Sequence, residues 1–93
     1  MIGEPRAVLY DRIAAYLVLG FYNSELTFEF CDAVVNDIHG IISFTDEVRP
    51  DLFGQVYLAF DEGEYYHGDN RDEDPVEVYT RPLVARIVEI RLL

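Results

Sequence analysis

Residues 26–40 read LTFEFCDAVVNDIHG, and this stretch decides the fold. Thr27 stands directly before a periodic apolar run, where its side-chain oxygen can accept a backbone N–H that the first helical turn leaves unpaired. Glu29 falls in that first turn, where a carboxylate meets the positive end of the helix dipole. Leu26 before the cap and Cys31 four residues after it have the spacing of a hydrophobic staple. Phe28, Cys31, Val35 and Ile38 then recur at helical intervals and form one inward stripe. Gly40 reads as the stop signal.

On the N-terminal side, Pro5 to Phe21 reads as another helix. Leu9, Ile13, Tyr16, Leu17 and Gly20 give its inward face, with Asp11 and Arg12 on the other. Pro5 suits a first turn, and Asn23-Ser24 ends the pattern. On the C-terminal side, Ile41 to Phe44 either finishes the Thr27 helix or forms an extended connection. Thr45 to Arg49 is a polar linker. Pro50 opens a third helix with Leu52, Phe53, Val56, Tyr57 and Phe60 inward. The last helix has two candidate starts. Asp74-Pro75-Val76-Glu77 has a cap, a first-turn proline and a capping-box acid, but leaves Pro82 deep in the helix, at about 3 kcal/mol or more. Thr80-Arg81-Pro82 puts that proline in the first turn and is preferred, with Val76 to Tyr79 extended and Leu83, Ile87 and Ile90 on the helix. The expectation is an all-α protein: a four-helix antiparallel bundle in one domain over residues 1–93, with an acidic loop between helices 3 and 4.

The composition bounds what such a bundle can do. The chain has 93 residues, 51% hydrophobic, which suits a single modest core and is too apolar for a disordered chain. The net charge is −11, and every basic residue is arginine. Such a surface repels nucleic acid and anionic membranes and attracts basic proteins, although an acidic coat also serves solubility alone. The single Cys31 rules out an internal disulfide and fits a reducing, cytoplasmic setting. No secretory leader is read at the start, where Glu4 and Arg6 interrupt the apolar residues. The apolar run from Ile13 to Tyr22 is shorter than the roughly 20 residues a membrane span needs.

The charge is concentrated. Asp61 to Glu77 holds Asp61, Glu62, Glu64, Asp69, Asp72, Glu73, Asp74 and Glu77 against one basic residue, Arg71. Tyr65, Tyr66 and His67 lie in its middle, and Gly63 and Gly68 loosen its backbone. Three readings compete: a calcium loop, a solvated loop and a docking surface for a cationic partner. Asp69, Asn70, Asp72 and Asp74 offer hard oxygens. The EF-hand offsets from Asp69 nevertheless put Arg71 and Glu73 at ligand positions, and Asp74 where the turn glycine belongs. Tyrosines favour docking, because they bring large contact area at low entropic cost.

Recognisable catalytic patterns are missing. There is no glycine-rich phosphate loop, no nucleophile elbow and no Cys/His spacing for zinc. His39, beside Gly40, reads as a residue at a helix end, and Cys31 as a small core residue. The expectation is a binding protein without enzymatic activity, resident metal or cofactor.

At this point the chain resembles the bacteriocin immunity proteins, small acidic antidotes to nuclease toxins. Its layout is similar to the colicin D type: a first amphipathic helix, a second opening on Leu26-Thr27-Phe28-Glu29-Phe30, a third led by Leu52-Phe53, an acidic loop and a final helix. Locally, Tyr65-Tyr66-His67-Gly68-Asp69-Asn70-Arg71-Asp72-Glu73-Asp74-Pro75 resembles the Tyr-Tyr pair and acidic run of the colicin E and pyocin DNase type, with His67 where that pattern has proline. An additional N-terminal helix is a second departure. The resemblance implies a helical, non-catalytic protein whose tyrosines and nearby acids contact a nuclease domain. The family positions carried over are Tyr65, Tyr66, Asp69, Asp72 and Glu73, with the nuclease a tRNA-cleaving toxin or a DNase. The expected partner is therefore a basic protein, a nuclease toxin domain, and neither nucleic acid nor membrane. The alternative is an acidic structural or regulatory interaction module without a toxin partner, including a homodimer.

Overall fold

The computed structural model describes residues 5–69 and 71–93; Glu4 and Asn70, used in the sequence reading, lie outside them. α1 spans Arg6–Tyr22, α2 Phe28–Phe44, α3 Asp51–Asp61 and α4 Arg81–Ile87. Wide π-helical turns extend α4 at both ends, Val76–Thr80 before it and Val88–Leu92 after it. Among the described residues there is no strand.

Cross-helix contacts fix the directions. The Tyr10 and Phe53 rings meet near the starts of α1 and α3, and the Phe21 and Phe60 rings near their ends, so these helices run together. α2 opposes both: Tyr10 donates to Glu47 just beyond its end, and Phe28 at its start packs on Phe60. The last helix opposes α3, with Thr80 bonded to Ala59 and Arg91 to Asp51. The result is an up-down-up-down antiparallel four-helix bundle. Phe53, Phe60, Leu17, Val18, Val35, Val56, Val84 and Val88 are fully buried at its centre. Each such side chain contributes roughly 1.5–3 kcal/mol by leaving water.

α1 presents a different face from the one its periodicity suggests. Tyr10, Ala14, Leu17, Val18 and Phe21 are buried, while Leu9 and Tyr16 are exposed. The helix is apolar on nearly every side, so spacing alone does not choose a face. Polar contacts choose it. The Tyr10 hydroxyl receives hydrogen bonds from Arg6 and donates to Glu47 at 3.1 Å. Asp11, expected outside, accepts the Phe53 N–H at 2.8 Å. Pro50, preceding α3, has no side-chain acceptor to offer, so a carboxylate from another helix caps α3.

Thr27 caps α2 as the sequence indicates, its Oγ1 accepting the Phe30 N–H at 3.1 Å. Gly40 does not end that helix. It lies exposed in midcourse, and Ile42 continues the buried stripe. The stop comes where Asp46 turns left-handed, at φ 57°, and the Glu47 N–H returns to the Ile42 carbonyl. α1 ends the same way, with Ser24 at φ 61° and the Glu25 N–H on the Gly20 carbonyl. Leu26 then folds over Gly20, whose missing Cβ leaves it room.

The last helix begins earlier than the preferred reading. Val76–Thr80 is helical rather than extended, and Asp74 provides the start, its carboxylate accepting the Val76 N–H at 3.0 Å. Pro82 is tolerated because the turn ahead of it is wide: the Arg81 N–H reaches back five residues to the Val76 carbonyl. The penalty for an interior proline assumes a regular α-helix, and this turn is not one. Thr80, read as a helix start, is instead buried, donating from Oγ1 to the Ala59 carbonyl at 2.8 Å.

Candidate functional site

The segment after α3 leaves the bundle over Gly63. A Cβ there would run into Thr80 Oγ1 and the Phe28 ring, so the backbone passes close to the core at this point. Beyond it, residues 64–69 and 71–74 are exposed, which places Glu64, Tyr65, Tyr66, Asp69, Asp72, Glu73 and Asp74 at the surface. Asp61, in the last turn of α3, and Glu62 are half-buried.

Rings organise the loop. His67 stacks on Tyr65 at 4.4 Å and on Tyr79 at 3.7 Å between ring centroids, so three rings lie in series. Glu62 locks this stack from beneath. Its carboxylate accepts the Tyr65 hydroxyl at 3.0 Å and lies 3.2 Å from His67 Nε2, which is also 2.7 Å from the Glu62 carbonyl. The bond from Tyr65 to Glu62 holds the phenol proton and raises the Tyr65 pKa above its ordinary value. Tyr66 lies under the Arg71 guanidinium, 4.8 Å from ring centre to carbon. Both tyrosines stay about half exposed, at 49% and 45%. They are therefore held in place with a free face, the condition that lowers the entropy cost of binding.

The acids divide by what they already do. Glu62 anchors the ring stack, and Asp74 caps the first wide turn. Asp61 and Glu64 face α2, where they meet Asp32. Asn36 donates from one amide nitrogen to Glu64 at 2.7 Å and to the Asp32 carbonyl at 2.9 Å. Burial, followed by the hydrogen bond and charge of Glu64 and the charge of Asp61, pushes the Asp32 carboxyl up to about 7. Burial and the Glu64 and Glu62 charges raise Asp61 as well. Glu64 moves the other way, lowered by the hydrogen bond with Asp32 and then by Asn36 and Asp61. Below about pH 7 the shared proton therefore stays with Asp32 and the charge with Glu64, the more exposed carboxylate.

Sequence reasoning found the loop but not the residues that brace it. Tyr79, Asp32 and Asn36 were outside the candidate site. Asp32 and Asn36 are spaced i, i+4 on α2, and Tyr57 and Asp61 on α3, so the polar pairs were visible while their meeting was not. His39, expected at a helix end, sits inside α2 and stacks on Tyr57 at 4.2 Å. Cys31 is buried, and burial pushes its thiol up to about 11, which suits a packing residue.

Among the described residues, no group of three or more His, Cys, Asp or Glu side chains is arranged to hold a metal ion. No helix among them is long and apolar enough to cross a membrane. Comparison of the chain with protein-family models, curated proteins and solved structures finds no match.

Proposed function

We propose that this chain is an immunity protein: it binds a cationic nuclease toxin of the bacteriocin type and neutralises it by covering its basic surface. The observation that carries this reading is the pair of half-exposed tyrosines on an acidic loop, Tyr65 held by Glu62 and the His67–Tyr79 stack and Tyr66 lying under Arg71. Pre-positioned aromatic side chains ringed by charge are the usual anchors of tight protein interfaces. Tyr65 and Tyr66 are the packed anchors. Asp69, Asp72 and Glu73, carried on the exposed part of the loop, steer the approach and pair with arginine and lysine. Nuclease surfaces that hold nucleic acid are basic, and an acidic partner occupies that surface in place of phosphates. The chain supplies binding, with no catalytic role assigned to any residue.

The test is inhibition. The tagged chain is used to isolate a basic nuclease from the source cells, and is then titrated into that enzyme's cleavage assay. Loss of cleavage at one chain per nuclease supports the proposal. Undiminished cleavage in the presence of the bound chain contradicts it.

A further inference from the structure

The acidic loop is tied to α2 by a contact between two acids. Glu64 is the first exposed residue after the chain leaves the bundle at Gly63, yet its carboxylate turns back onto α2. Asn36 donates to it at 2.7 Å, and Asp32 shares a side-chain hydrogen bond with it. Two ionised carboxylates are acceptors only, so this contact forms only with a proton between them. Asp32 is poorly placed to carry a charge instead. Its Oδ1 is buried and meets no donor among the described residues. A buried carboxylate oxygen without a donor is costly.

The surroundings add negative charge. Asp61 and Tyr57 face the pair from α3, and Glu62, in the turn that follows, adds its charge to that of Glu64 on Asp61. Two basic side chains lie on the same side of the bundle. His39, one turn beyond Asn36 on α2, stacks on Tyr57, and the Arg49 guanidinium carbon is 5.8 Å from the centre of the Tyr57 ring. Their charges act on Asp61 and Tyr57 respectively, and no positive charge is among the influences on Asp32.

We propose that the Asp32–Glu64 pair is a proton-operated latch on the acidic loop. With one proton in the contact, Glu64 is held on α2, and the next residue, Tyr65, is steadied from that side as well as by its own bond to Glu62. Without the proton, two carboxylates face each other beside Asp61, Glu64 swings out to solvent and the start of the loop loosens. Burial and the neighbouring acids, which raise Asp32 to about 7, put the change near neutral pH, with the latch closed below and open above. The latch belongs to the chain by itself and does not rest on the toxin reading.

The test is hydrogen exchange of the full chain without a partner, near pH 5.5 and near pH 8.5. Each rate is corrected for the intrinsic pH dependence of exchange, with the amides of α3 as the control for global stability. In the wild type, protection of residues 64–67 relative to α3 should fall about tenfold from the lower pH to the higher. Asp32→Asn supplies a permanent N–H in place of the proton and should keep the loop protected at both values. Asp32→Ala should leave it unprotected at both. Wild-type protection that is equal at the two values overturns the proposal. So does a loss in Asp32→Asn as large as in wild type, which would place the titrating group elsewhere in the loop. These two measurements decide the question even if Asp32→Ala fails to fold.

Discussion

The His67 and Tyr79 rings lie nearly parallel with their centroids 3.7 Å apart, and this contact ties the acidic loop to the turn that begins the last helix. Tyr65 completes the series on the far side of His67, with Glu62 bonded to both Tyr65 and His67. The orientation of one proposed anchor thus depends on a residue 14 positions later in the chain, on an element that packs against α3 through Thr80. A loop built this way presents its aromatic surface before any partner arrives.

Tyr79→Ala removes the base of the stack without touching the acids. Aromatic pairs contribute about 0.5–1.5 kcal/mol beyond simple burial, so the loop should loosen while the bundle remains folded. Hydrogen exchange should speed up in residues 64–69, and the partner's off-rate should rise about tenfold. Unchanged exchange and off-rate would mean that the stack does not order the loop.

Tyr66→Ala and Asp72→Asn should affect different rate constants. Loss of a packed anchor typically costs about 2 kcal/mol or more and raises the off-rate. Loss of one exposed charge mainly lowers the on-rate, and the loss should shrink as salt screens it. Surface plasmon resonance at two salt concentrations separates these outcomes. If neither substitution changes affinity, the docking surface lies elsewhere.

Asp11→Ala should destabilise the whole bundle by about 0.5–2 kcal/mol, the range for losing a helix cap. The Phe53 N–H it leaves unpaired is at the start of α3, two helices away in sequence. Urea unfolding checks this, with Asp37→Ala on the exposed face of α2 as the neutral comparison. Equal effects from the two would remove the capping role.

Asp32 gives a pH prediction with a definite sign. Its pKa in the folded chain is raised to about 7. Between the ordinary carboxylate range and that value, the folded state holds a proton that the unfolded state has lost. Stability from this group therefore falls as pH rises through that window, and no further above it. Asp32→Asn keeps an N–H donor toward Glu64 and removes the penalty. The variant should gain stability over wild type at pH 8 and gain little at pH 4. The same gain at both values would show that Asp32 titrates normally.

Much of the bundle is legible in residues 26–60. The Thr27 cap, the Cys31-Val35-Ile38 stripe and the third helix opening after Pro50 all follow from local chemistry. Three features are not local. The face of α1 is chosen by Tyr10 and Asp11 through partners 37 and 42 residues away. The end of α2 is set by a left-handed Asp46, a conformation more often adopted by glycine, so Gly40 drew attention that belonged further on. Pro82 falls in the first turn of α4, as its spacing indicates, but the helical run itself starts earlier, in the wide turn over Val76–Thr80 that precedes it. In the candidate site, the acidic run and the tyrosine pair are visible as composition. Their bracing by Tyr79, and the Asp32–Glu64 meeting on α2, depend on how the helices pack and leave no trace in the spacing.

The most direct test of the central claim is capture from the source cells at low and moderate salt, with wild type and a combined Tyr65→Ala, Tyr66→Ala, Asp72→Asn variant as baits. Wild type is expected to retain one basic, nuclease-like protein, and the folded triple variant to lose it. Equal capture by both baits, or wild-type recovery of only its own chain and unrelated proteins, would contradict it.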